Sequence, residues 1–258
     1  MLNYPYAQLE LTTICNLNCF YCAGRQMPQR HMAFETFTQI IDALPPQLAQ
    51  VSLQGEGEPT LHPDFKRMTR YCIDHNREPY TITNFHSSAI IERSGILDYP
   101  TFGVSLDSLD DAILQKIGRS VHTRANIEKY ITDQRVEIYT VSFGQDIRPV
   151  ARWCQQRGFR HLVQPLQTKP DYVATYQIKG FRQVAYNDVP HQLSCPHMHT
   201  YSPYFTVTGE ERPCCYIKTP QCAPRKEMQD KMRKGIVPPE CQGCHLLGKV
   251  KNAPAVSV

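Results

Sequence analysis

Six short β-like runs, each followed by a helical pattern, constrain this chain more than any other feature. They are residues 8–13 (QLELTT), 51–54 (VSLQ), 80–84 (YTITN), 102–106 (FGVSL), 136–143 (VEIYTVSF) and 160–165 (RHLVQP). Between the first two, Phe34, Phe37, Ile40, Ile41 and Leu44 recur at helical spacing until Pro45-Pro46 stops them. Phe65, Met68, Cys72 and Ile73 make a second stripe, and further helical patterns fall around 90–97, 112–117, 126–132 and 150–157. Alternation of this kind predicts parallel strands joined by right-handed crossovers. Six strands rather than eight predict an α/β fold, a partial (β/α)6 TIM-like barrel over residues 1–190, open on one side. Barrel enzymes gather their reactive residues at the C-terminal ends of the strands.

Composition narrows the class. A chain of 258 residues with 41% hydrophobic content can bury a core and is not a disordered polymer. No apolar run approaches the roughly 18 residues of a membrane-spanning helix. A formal charge of +4 is too small to mark a nucleic-acid binder. The N-terminus shows no secretory signal, so a cytoplasmic setting with reduced thiols is expected.

That expectation gives the 11 cysteines their meaning. Residues 191–258 hold Cys195, Cys214, Cys215, Cys222, Cys241 and Cys244 in a Pro- and Lys-rich stretch with one β-like run, 204–208 (YFTVT), and one basic helical run, 225–234. A segment this short seldom folds on its apolar core alone, and in a reducing compartment the staple is a metal site. Cys15, Cys19 and Cys22 form C-x3-C-x2-C just after the first strand. Three thiolates from one loop can hold three corners of a four-iron cluster and leave one iron open, whereas a closed structural site needs four ligands. A zinc site with a remote fourth ligand is the alternative on spacing alone.

Four motifs in order carry a resemblance to the radical S-adenosylmethionine (radical SAM) superfamily. The triad matches its C-x3-C-x-aromatic-C signature, with Tyr21 in the aromatic place. Gln54-Gly55-Glu56-Gly57-Glu58-Pro59 is similar to its Gly-Gly-Glu-Pro motif after the second strand. Thr83-Asn84 and Val104-Ser105-Leu106-Asp107 follow near the ends of the third and fourth strands. The resemblance implies a [4Fe-4S] cluster on Cys15, Cys19 and Cys22 that binds SAM through its amine and carboxylate. It also implies reductive cleavage to a 5′-deoxyadenosyl radical, with a low-potential donor such as flavodoxin or ferredoxin. By the same resemblance, Tyr21 contacts adenine, Gly57 and Glu58 the amine, and Ser105 the carboxylate. Thr83 and Asn84 are candidates for ribose or methionine, and Arg119 is either a carboxylate partner or an ordinary loop arginine. Two departures stand out: Glu56 in place of the first glycine, and Phe85 in place of a glycine that often follows Thr-Asn.

The C-terminal pattern, Cys195-x13-Gly209-x4-Cys214 followed by Cys241-x2-Cys244, resembles the SPASM and twitch appendages of this superfamily. It implies a twitch domain with a second, auxiliary [4Fe-4S] cluster on Cys195, Cys214, Cys241 and Cys244, closed to substrate and suited to electron transfer. A structural zinc is the alternative. The layout is similar to compact members such as the aminocyclitol dehydrogenase of butirosin biosynthesis. A two-electron oxidation of a small-molecule or peptide substrate is therefore expected, with His86 or Asp146 as the base and Gln164 nearby. A peptide-modifying enzyme is the alternative, an epimerase with Cys215 as hydrogen donor or a cross-linking enzyme. A leader-guided peptide would require a leader-binding domain, and none is visible at either end. A non-catalytic metal-binding protein is the alternative of another class. Cys72 and Cys154 read as core residues, Cys222 has no evident role, and His197 and His199 lie close to Cys195.

Overall fold

The computed structural model describes residues 5–176, 193–219 and 221–249. Strands β1 (Tyr6–Leu9), β2 (Gln50–Ser52), β3 (Glu78–Tyr80), β4 (Ile82–Thr83), β5 (Phe102–Ser105), β6 (Val136–Ser142) and β7 (Arg160–Pro165) supply the six expected barrel positions. The helices between them are α1 (Phe34–Ala43), α2 (Phe65–Asp74), α3 (Ser88–Ser94), α4 (Asp111–Lys116), α5 (Thr123–Tyr130) and α6 (Arg148–Arg157). Pairing is parallel throughout, β1–β2–β3 in one ladder and β4–β5–β6–β7 in the next. One residue, Thr81, separates β3 from β4. Its hydroxyl donates to the Leu53 carbonyl and its own carbonyl accepts from Gly103 N–H, so the third strand still joins both neighbours. The result is the expected partial barrel.

Its two faces differ. Ala7, Leu9, Val51, Leu53, Val104, Val136 and Ile138 are fully buried in the core beneath the helices. Tyr6, Gln8, Ser52, Gln54, Tyr80 and Tyr139 alternate with them and line the lumen. A barrel filled for stability alone would carry branched apolar side chains there. Polar residues in the lumen mark it as a site. Cys72 and Cys154 belong to the core as expected, and burial pushes their thiols up to about 12 and about 11.

Beyond the barrel come α7 (Pro170–Val173), β8 (Leu193–Ser194), α8 (Pro196–His199), β9 (Tyr204–Phe205), β10 (Glu211–Arg212), α9 (Arg225–Arg233) and β11 (Gly248–Lys249). The boundary expected between residues 190 and 191 lies outside the described residues. The β-like run at 204–208 shortens to β9 and pairs in parallel with β1, while β10 closes antiparallel on β9. The cysteine-rich region thus extends the barrel sheet instead of standing beside it. Cys195, Cys214, Cys241 and Cys244 are buried together with Leu193, Met198, Met228 and Met232, with Cys222 at the margin. Arg225 fastens this region by donating to the carbonyls of His197, Thr200, Ser202 and Pro213. Among the described residues, no helix is long and apolar enough to cross a membrane.

His62 ties the turn Pro59–Leu61 back to the barrel. Its Nε2 lies 2.9 Å from the Met32 carbonyl, and its Nδ1 accepts from Asp64 N–H at 3.0 Å. That pairing requires the neutral ring, and burial, with nearby His31 adding to it, lowers its pKa. A lowered folded value makes the contribution of His62 complete above the unfolded value near 6.5 and lost as pH falls below it. Thermal unfolding at pH 7 and pH 5 should show that loss, and His62→Asn should flatten it.

Candidate active site

The cysteine loop rises from the end of β1 and is pinched shut at its base. Thr12 Oγ1 donates to the Arg30 carbonyl at 3.1 Å and Thr13 Oγ1 to the Pro28 carbonyl at 2.7 Å. Two glycines let other segments approach it at backbone distance. Gly57 N–H donates to the Thr12 carbonyl at 3.2 Å, and a Cβ at Gly57 would fall 2.4 Å from that oxygen. On the far side, Asn18 N–H and Phe20 N–H donate to the Gly118 and Ile117 carbonyls at 3.3 and 3.1 Å. Gly118 has φ +74°, and a Cβ there would stand 2.0 Å from the Asn18 carbonyl oxygen.

Cys15, Cys19 and Cys22 converge on one cavity of about 190 Å3, which Glu56 also lines. Burial raises all three thiols, Cys15 to about 11, so as free groups they hold their protons near neutral pH. A metal must displace those protons, and three soft donors around one space suit an iron–sulfur cluster with one corner left open. Each sulfur has its own neighbours. Leu17 N–H donates to Cys15 Sγ at 3.4 Å, with Asn84 Nδ2 at 3.9 Å. Arg119 Nη1 donates to Cys19 Sγ at 3.6 Å. Cys22 Sγ lies 3.3 Å from the Glu56 carbonyl and 3.5 Å from its Oε2, and also takes a backbone hydrogen bond from Gly24.

The residues expected around SAM fall into two networks at the strand ends. Glu58 is buried, and its carboxylate accepts from Thr60 N–H (3.2 Å), Thr60 Oγ1 (2.6 Å), Thr83 Oγ1 (2.7 Å) and Asn84 N–H (2.6 Å). Burial raises its pKa while these bonds oppose the rise. Asn84 extends the network to Asn16 Oδ1 at 2.7 Å, inside the cysteine loop. The second network centres on Asp107, fully buried, which accepts from Tyr21 OH (2.5 Å), Arg119 Nε (2.8 Å) and Val141 N–H (2.7 Å). Arg119 is therefore a buried ion-pair partner and no ordinary loop arginine; Asp107 holds its pKa well up against desolvation. Ser105 lies at the end of β5, half-buried.

The lumen holds a second cavity of about 490 Å3. The barrel contributes Gln54, Glu56, Tyr80, Tyr139 and Gln164, and the C-terminal region contributes His197, Cys215, Tyr216, Lys218 and His245. Glu56 lines both cavities. His86 and Asp146, the expected bases, are not brought to either cavity. His86 bonds Ser120 Oγ at 2.7 Å beside His122. Asp146 sits at the surface, and its hydrogen bonds with Arg148, 2.7 Å from its side chain, hold it down to about 2. A loop position after a strand does not say which way the side chain turns.

Across the lumen, the thiols of Cys195 and Cys241 are raised by burial and by the other cysteines of the expected set. Four buried thiols sharing one field suit a metal centre. Among the described residues, the ligand atoms that fall within 4.8 Å of one another are those of His197, Cys214 and Cys215. That trio shares one member with the expected four and is compact enough for a single ion. The Cys214–Cys215 hydrogen bond holds Cys215 down and Cys214 up. Tyr172 and Lys218 also line the lumen, and sequence reasoning did not single them out. Glu56 was visible as a departure from the motif, whereas Lys218 left no local signal.

The family model described as the Radical SAM superfamily matches residues 9–139, just over half of the 258-residue chain. The chain belongs to the radical SAM superfamily. Membership implies a [4Fe-4S] cluster and SAM, and the triad's donor set and cavity fit that cluster. A tungsten-containing aldehyde ferredoxin oxidoreductase cofactor-modifying protein of Pyrococcus furiosus is 36% identical over 69 residues, 25% of this chain and 19% of that protein. Streptococcus suis SuiB bound to S-adenosylmethionine superposes with a TM-score of 0.68 at 16% identity, over 90% of this chain and 66% of SuiB. BtrN in complex with AdoMet and 2-DOIA superposes at 0.54 and 13% identity, over 90% of this chain and 88% of BtrN. The chain thus spans less than two thirds of each of the first two relatives. The structural likenesses carry the fold, and at that coverage they take in the cysteine-rich region, in keeping with the SPASM/twitch resemblance.

Gly118→Ala forces a side chain into the loop's backbone contact. A loss of about 2 kcal/mol in urea unfolding is expected, together with reduced iron retention on reconstitution.

Proposed function

We propose that this protein is a SAM-dependent radical oxidoreductase that removes two electrons from a substrate held in the lumen. The carrying observation is that the three-cysteine cavity and the lumen share Glu56 in their walls, while Cys215, next to the buried C-terminal cysteines, lines the lumen. When bound, the [4Fe-4S] cluster with SAM supplies a 5′-deoxyadenosyl radical after one-electron reduction by a donor such as flavodoxin or ferredoxin.

Cys15, Cys19 and Cys22 hold the cluster, and Cys195, Cys214, Cys241 and Cys244 a second one. Tyr21, Gly57, Thr83, Asn84, Ser105 and Arg119 are the proposed SAM contacts at the strand ends. Glu58 is proposed with them as an amine contact through Oε2, which accepts only from Asn84 N–H, while Oε1 fixes the wall formed by Thr60 and Thr83. The tyrosines and glutamines of the lumen position the substrate and exclude water. BtrN, matched over most of its length, is described with a small molecule, 2-DOIA, and supports a small-molecule substrate. The second reading is peptide modification with Cys215 as hydrogen donor. It rests on Cys215 lining the lumen and on SuiB being described with the precursor peptide SuiA.

Anaerobic reconstitution tests the reading. With dithionite and SAM the protein should release 5′-deoxyadenosine, and alanine at Cys15, Cys19 or Cys22 should abolish it. About eight irons per chain are expected, against about four plus one zinc if His197, Cys214 and Cys215 hold a single ion. A product lighter by two hydrogens marks oxidation, whereas one deuterium gained from heavy water, lost in Cys215→Ala, marks epimerisation. Absence of 5′-deoxyadenosine from iron-loaded protein overturns both.

A further inference from the structure

Glu56 stands where the family motif has a glycine, and the chain has built a partner for it. Glu56 Oε1 accepts from Lys218 Nζ at 2.7 Å and from Tyr172 OH at 3.0 Å. Both side chains of the ion pair are shielded, Glu56 at 13% and Lys218 at 16% exposure. The carboxylate's other oxygen lies 3.5 Å from Cys22 Sγ. Lys218 belongs to the C-terminal region, four positions after Cys214 and far from the triad in sequence.

Iron binding makes this arrangement electrostatically demanding. A ligating cysteine has no proton to donate, so Cys22 would face a carbonyl and a carboxylate with its own negative sulfur. Backbone N–H groups approach Cys15 from Leu17 and Cys22 from Gly24, and Cys19 meets both the Arg119 guanidinium and the Gly118 carbonyl. Cys22 is the sulfur of the three with a carboxylate at hydrogen-bond distance, and Lys218 is the cation placed against that carboxylate. Local charge and hydrogen bonding to the sulfurs set the reduction potential of such clusters. Low exposure keeps the pair from being screened by solvent ions.

We propose that Lys218, acting through Glu56, is a positioning residue that sets the reduction potential of the cluster on Cys15, Cys19 and Cys22. The step concerned is the entry of one electron from the low-potential donor, and no bond forms or breaks at Lys218. Lys218 offsets Glu56, so the cluster accepts that electron more readily than it would beside a bare carboxylate. The loop that carries Cys214 and Cys215 thereby governs the electrostatics of the cysteine cluster at the other end of the chain. This inference rests on the triad holding the cluster.

Redox titration of the anaerobically reconstituted full chain, followed by electron paramagnetic resonance, tests it. The triad's signal is recognised by its change on adding SAM. Lys218→Met should lower the midpoint, shifting the reduced-to-oxidised ratio at a fixed potential about tenfold, equivalent to about 59 mV for one electron. Glu56→Gln should raise it, Glu56→Gln/Lys218→Met should fall between the two, and Lys218→Arg should keep the wild-type value. Coincident midpoints in all four variants, or single-variant shifts of the same sign, with iron and sulfide content unchanged, overturn the inference. A wild-type chain that shows no SAM-sensitive cluster signal overturns the reading beneath it instead, so the two failures are distinguishable.

Discussion

Buried carboxylates at the C-terminal rim of the barrel hold the site together. Glu10 at the end of β1, Glu56 and Glu58 after β2, and Asp107 after β5 are shielded from solvent, and each accepts from groups on another segment. Glu10 takes Glu56 N–H at 3.0 Å and Val207 N–H at 3.3 Å, tying three stretches of chain to one side chain. A carboxylate out of water is costly unless its acceptors are filled, and removing one partner of such a group costs about 3–5 kcal/mol. The penalty favours arrangements of the rim loops that bring donors to these carboxylates. The cysteine loop is held by these networks together with one apolar anchor, Phe20, which packs on Ile117 and Leu166.

The same constraint joins the two halves of the molecule. β9 adds to the sheet beside β1, Glu10 reaches Val207 just beyond it, and Lys218 reaches Glu56. A region too small to build a large core gains a place by borrowing the barrel's sheet edge and its buried charges. The lumen is in consequence walled by both halves, with Gln54 and Tyr139 from one and Cys215 and Tyr216 from the other. Through that shared wall Cys215 reaches the lumen.

Much of this was legible in the sequence, for identifiable reasons. The β-α alternation gave the strand order because parallel crossovers leave few topologies. The triad was legible because its ligands are local, within one loop. Glycine in the motif at Gly57 has its explanation in the 2.4 Å that a side chain would leave to the Thr12 carbonyl. The candidate bases failed for a matching reason. His86 and Asp146 were chosen by closeness to strand ends, but a residue in a loop can turn to either side, and both turned to partners outside the lumen. Glu58 was expected at the ligand, and its bonds to Thr83 and Asn84 depend on two separate segments meeting, which sequence separation does not show.

The amino-acid sequence by itself determined the class of fold and, through its ordered motifs, the family resemblance, because strand periodicity and short motifs are local properties. Tertiary structure alone decided how distant charges pair. Whether Glu56 stands naked beside Cys22 or is matched by Lys218, and whether Arg119 is a surface residue or the partner of Asp107 and Cys19, depends on which segments the sheet brings together. Coulombic pairing reads distance in space and local dielectric, and neither is written in sequence separation.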